Sequence, residues 1–485
     1  MANIKKETIS GAKWGMLQRF TMQPIQLLYG MVLARLITPQ EMGIMGLTAI
    51  FFAIAAQLAN AGFGAALIRK IDRTEADCST MFWFNVGMSF LVSLTLFLLA
   101  PWFTRFYNQP ELLWLTRASA FNMFISSTTS VHWTLYQCRR DFKTPAIVGC
   151  ITSIAGMPVC LTLAWLGWGV WALMWQGIFS TLLSLTIVWC ISPWKPRFLF
   201  SGASFRELFS FGSKLALSGM LHVFYQNIRT FIIGKFYKPS QLGLYNRGEH
   251  LAYLVPQTIS GILGSVSYPV LSTIQNDDER LFQAYRKYIR ISTLVIAFLS
   301  VLLASICYPA IELLYGANWV ECAIFLQILT ISGSTDHICV INLNLLMVKG
   351  RSDLFLRLEI IKKSLSLMML FYAATISVEA ICWASAIYSQ IAIFINTYYT
   401  GKILGLTWWK QQKDYLPYFA QAALACIPAY LLTTTGWPAF VQVTLGGASA
   451  FILYFGSLHL RREESYVELY NTLRQNKWGR WLPSL

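Results

Sequence analysis

Gly11-Ala12-Lys13 opens, and Thr38-Pro39-Gln40-Glu41-Met42-Gly43-Ile44-Met45 closes, a nearly uncharged stretch whose plan the chain uses twice. Gly212-Ser213-Lys214 lies 201 residues after the first opening, and Pro239-Ser240-Gln241-Leu242-Gly243-Leu244-Tyr245 lies 200 residues after the first closing. Pro101 and Tyr107 match Pro309 and Tyr315 at an offset of 208. Three small motifs in one order argue for an internal duplication of about 200 residues.

Outward from that stretch the chain stays apolar. Only 12% of its residues are charged, 56% are apolar and 15% aromatic, against about 25% charge in an ordinary soluble protein. Apolar runs of about 17–25 residues, long enough to cross a bilayer, recur from end to end. The chain reads as an all-α polytopic membrane protein. Lys5 and Lys6 precede the first run, and no short apolar region with a cleavage site follows, so the N-terminus is expected to be retained. The ten cysteines stand singly, without a CxxC or a Cys/His cluster. That pattern suits packing rather than metal or disulfide roles, and no cofactor is expected.

Turn residues divide the sequence into fourteen spans. Six lie near 12–36, 42–66, 80–102, 112–136, 145–166 and 169–191. Six more lie near 207–234, 242–270, 288–310, 320–347, 352–376 and 380–403, and the last two near 414–434 and 438–458. A net charge of +16 would suit nucleic acid, but its placement argues otherwise. With the N-terminus in the cytoplasm, 25 of the 38 basic residues fall on that side. They occupy alternate loops, including Arg69, Lys70 and Arg73; Arg139, Arg140 and Lys143; and Arg286, Lys287 and Arg290. The positive-inside rule therefore places both termini in the cytoplasm.

An even number of spans per copy gives two parallel repeats around a central cavity. Residues 1–200 form an N-terminal six-helix lobe and 201–405 a C-terminal one. Residues 406–460 add two transmembrane helices, and 461–485 form an amphipathic tail with Trp478 and Trp481, expected on the cytoplasmic membrane surface. The loops are too short for a catalytic domain, and no GxxxxGK[ST], HExxH or GxSxG motif is present. No enzyme activity is expected.

Polar residues inside apolar spans are costly, so their pattern points to function. Arg19, Gln23 and Gln26 share one helix face in span 1, and His222, Gln226 and Arg229 share one in span 7. Span 2 carries Gln57 and Asn60; span 8 carries Arg247, Glu249, His250 and Gln257; Arg117 begins span 4. Uncharged members could instead bond neighbouring helices. Buried arginines call for water or an anion, and phosphate suits the planar guanidinium. A net-positive cavity is therefore expected, with Arg19, Arg229, Arg247 and Arg117 binding an anionic, diphosphate-bearing substrate. Gln23, Gln26, Gln57, Asn60, His222, Gln226, His250, Gln257 and His337 would line it. Glu249 and Asp336, each followed by a histidine, are the candidates for proton or sodium coupling. Glu359 with Lys362 and Lys363 reads as an ordinary helix salt bridge.

The segment Ala61-Gly62-Phe63-Gly64-Ala65-Ala66-Leu67-Ile68-Arg69-Lys70, continuing to Ser79-Thr80-Met81-Phe82-Trp83-Phe84-Asn85, resembles the Wzx-type polysaccharide exporters. The nearest branch is the colanic-acid and teichuronic-acid transporters. Thr38-Pro39-x-x-Met42-Gly43 and Gln137-x-Arg139-Arg140-Asp141-Phe142 fit the same family, and the likeness covers about residues 8–410. The resemblance implies the fold of the multidrug/oligosaccharidyl-lipid/polysaccharide superfamily, two six-helix lobes around a cleft. Its implied task is flipping an undecaprenyl-diphosphate-linked oligosaccharide across the bacterial inner membrane, as in lipopolysaccharide and other polysaccharide biosynthesis. Membrane lipids, a polymerase and other assembly proteins are the implied partners. Lipid II flippases of the superfamily keep arginines on their first and eighth helices, where Arg19 and Arg247 lie here. Two alternatives compete. A cation-coupled drug antiporter of the same superfamily would favour an acidic, aromatic cavity. A membrane glycosyltransferase or polysaccharide polymerase would need a catalytic loop.

Overall fold

The computed structural model describes the backbone of residues 2–60 and 62–475, and side chains at 14, 17, 18, 21–60, 62–261, 267, 271–471 and 474. The side chain of Arg19 and the tail end carrying Trp478 and Trp481 lie outside the described residues. No strand occurs among those described.

The first helices are α1 (Ala2–Leu36), α2 (Pro39–Asn60), α3 (Phe63–Arg69), α4 (Glu75–Tyr107), α5 (Leu112–Ser127), α6 (Ser130–Cys138), α7 (Lys143–Trp165) and α8 (Val170–Ile191). Then follow α9 (Gly202–Phe236), α10 (Pro239–Thr273), α11 (Asp278–Ser305), α12 (Cys307–Tyr315), α13 (Cys322–Val348), α14 (Ser352–Ala373) and α15 (Val378–Leu404). Last come α16 (Trp408–Ala425), α17 (Ile427–Thr433), α18 (Ala439–Leu460) and α19 (Glu464–Gln475).

Every expected span falls on one helix or on a broken pair. Among the described residues, α2, α4, α7, α8, α11, α13, α15 and α18 are each long and apolar enough to cross a membrane. The bent pair α16–α17, angled by 42°, makes a ninth. The other five expected spans fall on α1, α5–α6, α9, α10 and α14. Charge inside helices such as α9 (Lys214, Arg229) and α14 (Arg357, Glu359, Lys362, Lys363) lowers their hydropathy.

Local chemistry sets the helix starts. Thr38 and Glu41 close a capping box at α2: the Thr38 amide donates to the Glu41 carboxylate at 2.7 Å, and Pro39 takes the first turn. Thr74 and Asp77 form the same box at α4, and Ser377 caps α15 by accepting from the Ala380 amide at 3.0 Å.

The helices pack as two compact units, Met1–Gly243 and Leu244–Leu485. In the first, α4 packs on α5, α7 on α8, and α1 on α7. The helix α9, expected to open the second lobe, packs along α2, α3 and α4 within the first unit. In the second unit α13 is the centre, enclosed by α15 and α11, with α14 against α15. There α16 to α18 join α11 and α12 around an apolar core that includes Leu294, Phe298, Ile306, Tyr418 and Tyr454. The Tyr454 hydroxyl donates to the Leu294 carbonyl at 2.9 Å. The tail helix α19 packs on α11 and α18. Lys287 pairs with Glu468 there, and the Tyr418 hydroxyl donates to Glu463, just before the helix, at 2.6 Å.

Candidate functional site

Two helix breaks in the first unit open its interior. The first, between α2 and α3, comes at Gly62, whose φ of +70° is left-handed. A Cβ there would meet the backbone of Gly212 on α9, so a side chain is excluded twice over. The second break separates α5 from α6. Its sequence is Ser126-Ser127-Thr128-Thr129-Ser130, five hydroxyls in a row within an expected span. The first four hydroxyls each donate to the carbonyl three residues earlier, at 2.7–2.8 Å. Such back-bonding competes with the helical ladder, and the helix ends there.

Between these breaks lies a cavity of about 670 Å³, lined by residues of α2, α3, α4, α5, α6 and α8. Gln57, Asn60 and Gln137 bring amides; Ser126, Ser127, Thr129, Ser130, Thr134, Ser180, Thr181 and Ser184 bring hydroxyls. Among the described residues Trp133 is the aromatic in the lining, and no Lys, Arg, Asp or Glu lines it. A hydroxyl that spends its proton on a carbonyl keeps lone pairs to accept with, while the amides both donate and accept. This lining suits an uncharged ligand rich in hydroxyls.

The lining comes from the end of α2, from α3 and from the C-terminal parts of α6 and α8, so it faces the end of the unit bearing Arg69, Lys70, Arg139 and Arg140. At that end Lys70 bridges Asp77 at 2.9 Å and Glu207 of α9 at 2.8 Å. The Glu207 and Asp77 carboxylates hold the Lys70 ammonium above the usual lysine range. Arg69 stacks on Phe211 of α9 at 4.5 Å.

Of the expected site residues, Gln57 and Asn60 line this cavity. Arg117, Arg229 and Arg247 are not among its lining residues, and the side chain of Arg19 lies outside the described residues. Arg117 stacks over Phe97 at 4.6 Å and Trp114 at 4.9 Å. Arg247 stacks over Tyr315 at 4.6 Å and Trp319 at 5.4 Å. Each keeps one buried guanidinium nitrogen without a hydrogen-bond partner, Nε of Arg117 and Nη2 of Arg247. Aromatic faces thus offset part of their burial. Arg229 and Gln23 are half-buried, whereas Gln26, His222, Gln226, His250 and Gln257 are exposed. Glu249 accepts from the Tyr245 hydroxyl at 2.9 Å.

The second unit holds several of its polar groups in closed networks. His337, expected to line a cavity, is fully buried and shares a 2.9 Å hydrogen bond with Thr293. Asn342 and Gln411 bond each other at 3.1 Å, and the Thr400 hydroxyl donates to Asn342 at 2.6 Å. Asp414 is buried and accepts from Arg286 at 2.6 and 2.8 Å and from Arg290 at 2.9 Å. The Glu359–Lys362 pair, 2.6 Å apart, has the spacing of an ordinary helix pair. Its environment is different: Lys362 is only 6% exposed. Asn396 of α15 is 1% exposed with its carboxamide unpartnered.

Sequence reasoning found the amides of span 2 because they interrupt an apolar run. It missed the hydroxyl face, although five adjacent Ser and Thr residues inside a span were a readable sign of a break.

A family model described as "Polysaccharide biosynthesis protein" matches residues 32–324. The chain is similar to the teichuronic acid biosynthesis protein TuaB of Bacillus subtilis (strain 168), 24% identical over 417 residues, covering 84% of this chain and 85% of that protein. It is also similar to the lipopolysaccharide biosynthesis protein WzxC of Escherichia coli (strain K12), 23% identical over 368 residues and covering 74% of each. Among solved structures, the inward closed conformation of the lipid II flippase MurJ shares the fold. Its TM-score is 0.68 at 14% identity, covering 94% of this chain and 99% of that one.

Proposed function

Because the chain belongs to the family of polysaccharide biosynthesis proteins, we propose that it flips an undecaprenyl-diphosphate-linked oligosaccharide across the bacterial inner membrane. It breaks no bond; it alternates access. The observation that carries this reading is the uncharged, hydroxyl-lined cavity of the first unit. A volume of about 670 Å³ lies within the usual range for small-ligand sites and suits a short stretch of sugar. With both termini cytoplasmic, the cavity faces the cytoplasm, where such a substrate is loaded.

The glycan takes the cavity, the prenyl chain stays in lipid, and the diphosphate goes to arginines, with Arg19 and Arg229 as the first candidates. Glu249 and Asp336 remain the candidates for proton or sodium coupling. Polymerase and assembly proteins receive the product. Drug–cation antiport is the competing reading, but a cation wants carboxylates or an aromatic box, and this lining offers Trp133 alone.

The test is reconstitution. Proteoliposomes holding the chain and an undecaprenyl-diphosphate-linked neutral trisaccharide are treated with membrane-impermeant periodate. Flipping exposes the inner-leaflet sugar to oxidation, which empty liposomes do not allow. Equal protection in both would sink the proposal.

A further inference from the structure

The hydroxyls around the cavity of the first unit are disposed to accept rather than to donate. Six of the nine in the lining spend their proton on a backbone carbonyl. Ser126, Ser127 and Thr129 do so at 2.7–2.8 Å and Thr134 at 3.0 Å, each within its own chain turn. Ser180 reaches the Thr152 carbonyl of α7 at 3.2 Å, and Ser89 the Met123 carbonyl of α5 at 3.5 Å. Each then shows the cavity lone pairs and no proton. Beside them Asn85 of α4 is only 1% exposed. Its amide donates to the Ser130 hydroxyl at 3.2 Å, and its Oδ1 stays buried without a donor. Donors come chiefly from the Gln57, Asn60 and Gln137 amides, and each of these brings an acceptor as well.

The wall is therefore richer in acceptors than in donors, and among the described residues it holds no cation. The cations at that end of the unit lie outside the lining, and Lys70 already serves Asp77 and Glu207. A buried acceptor left without a donor is costly, so the wall calls for a ligand that donates. A sugar hydroxyl does so. A carboxylate is charged and accepts only; it would face oxygens with no proton to offer and leave water with no cation to pair with. We propose that the cavity sorts glycans by charge: it takes a segment of neutral, hydroxyl-bearing sugars and excludes one that carries a carboxylate, such as a uronic acid. This rests on the glycan-carrying role proposed for the cavity and narrows its substrate class.

The test compares two undecaprenyl-diphosphate-linked trisaccharides that differ only in the terminal sugar, glucose in one and glucuronic acid in the other. In proteoliposomes the glucose form should flip at least about tenfold faster, the scale of one hydrogen bond forgone. Gln57→Lys puts an ammonium into the lining and should shrink that ratio several-fold. Equal rates for the unmodified chain, or a ratio that Gln57→Lys leaves unchanged, overturn the sorting. A second arm needs no flipping. The two trisaccharides, free of lipid, are titrated into the detergent-purified chain, and bound sugar is read by saturation-transfer NMR. The glucose form should bind, and the glucuronic acid form should bind about tenfold more weakly. Equal binding of both, or binding of neither, overturns the sorting. If neither lipid-linked form is flipped while the free glucose form alone is bound, the flipping proposal fails and the sorting stands.

Discussion

The two compact units use similar helices and fill them in opposite ways. The interior of Met1–Gly243 is an uncharged cavity walled with hydroxyls and amides. The interior of Leu244–Leu485 is closed by fixed polar and ionic partners: Asp414 with Arg286 and Arg290, Lys362 with Glu359, and Asn342 with Gln411 and Thr400. Buried charges are expensive unless paired, and in the second unit Asp414 and Lys362 are committed to charged partners. Hydroxyls bonded to their own helix need no second partner, so the first unit leaves room for a ligand.

The comparison breaks most visibly at Asp414. Asp414→Ala removes the acceptor of three charge-assisted hydrogen bonds and strands two arginines. The expected loss is about 3–5 kcal/mol of stability, read as a lower unfolding midpoint in detergent and less protein in the membrane. An unchanged midpoint would mean that this cluster does not hold α16 to α11.

Lys362→Met should cost less, about 2–3 kcal/mol, because it breaks one close ion pair where Asp414→Ala loses three charge-assisted hydrogen bonds. The double variant Lys362→Met/Glu359→Gln should recover most of that loss, since removing both charges leaves neither stranded. Equal destabilisation by the single and double variants would show that packing, not pairing, sets the cost.

In the first unit the same kind of change should leave stability alone. Gln57→Leu and Ser184→Leu should shift it by less than about 0.5 kcal/mol. Flipping of the trisaccharide substrate should fall about tenfold, the loss of one hydrogen bond worth about 1.4 kcal/mol. A loss of stability in step with flipping would make these residues structural, as in the second unit.

Much of this was legible in the sequence. Spans and turns follow from local apolar runs and breaking residues, and all fourteen expected spans fall on helices. The repeated motif was readable because Pro39-x-x-Met42-Gly43 and Pro239-x-x-Leu242-Gly243 are written out along the chain. The polarity of Gln57 and Asn60 announced itself against apolar neighbours. What escaped depends on residues distant in sequence. Arg247 looked like a free cation because Tyr315 and Trp319 stand 68 and 72 residues away. Lys362 looked like half of an exposed pair because its burial comes from helices packed around α14.

The central claim is that the cavity of the first unit receives the glycan. Its most direct test is photolabelling with an undecaprenyl-diphosphate-linked trisaccharide carrying a diazirine on its terminal sugar, followed by peptide mapping. The account predicts cross-links within residues 126–137 and 180–184, the hydroxyl face of the cavity, diminished by excess unlabelled substrate. Competed cross-links confined to α13, α14 and α15 would place the sugar in the charged unit instead and contradict it.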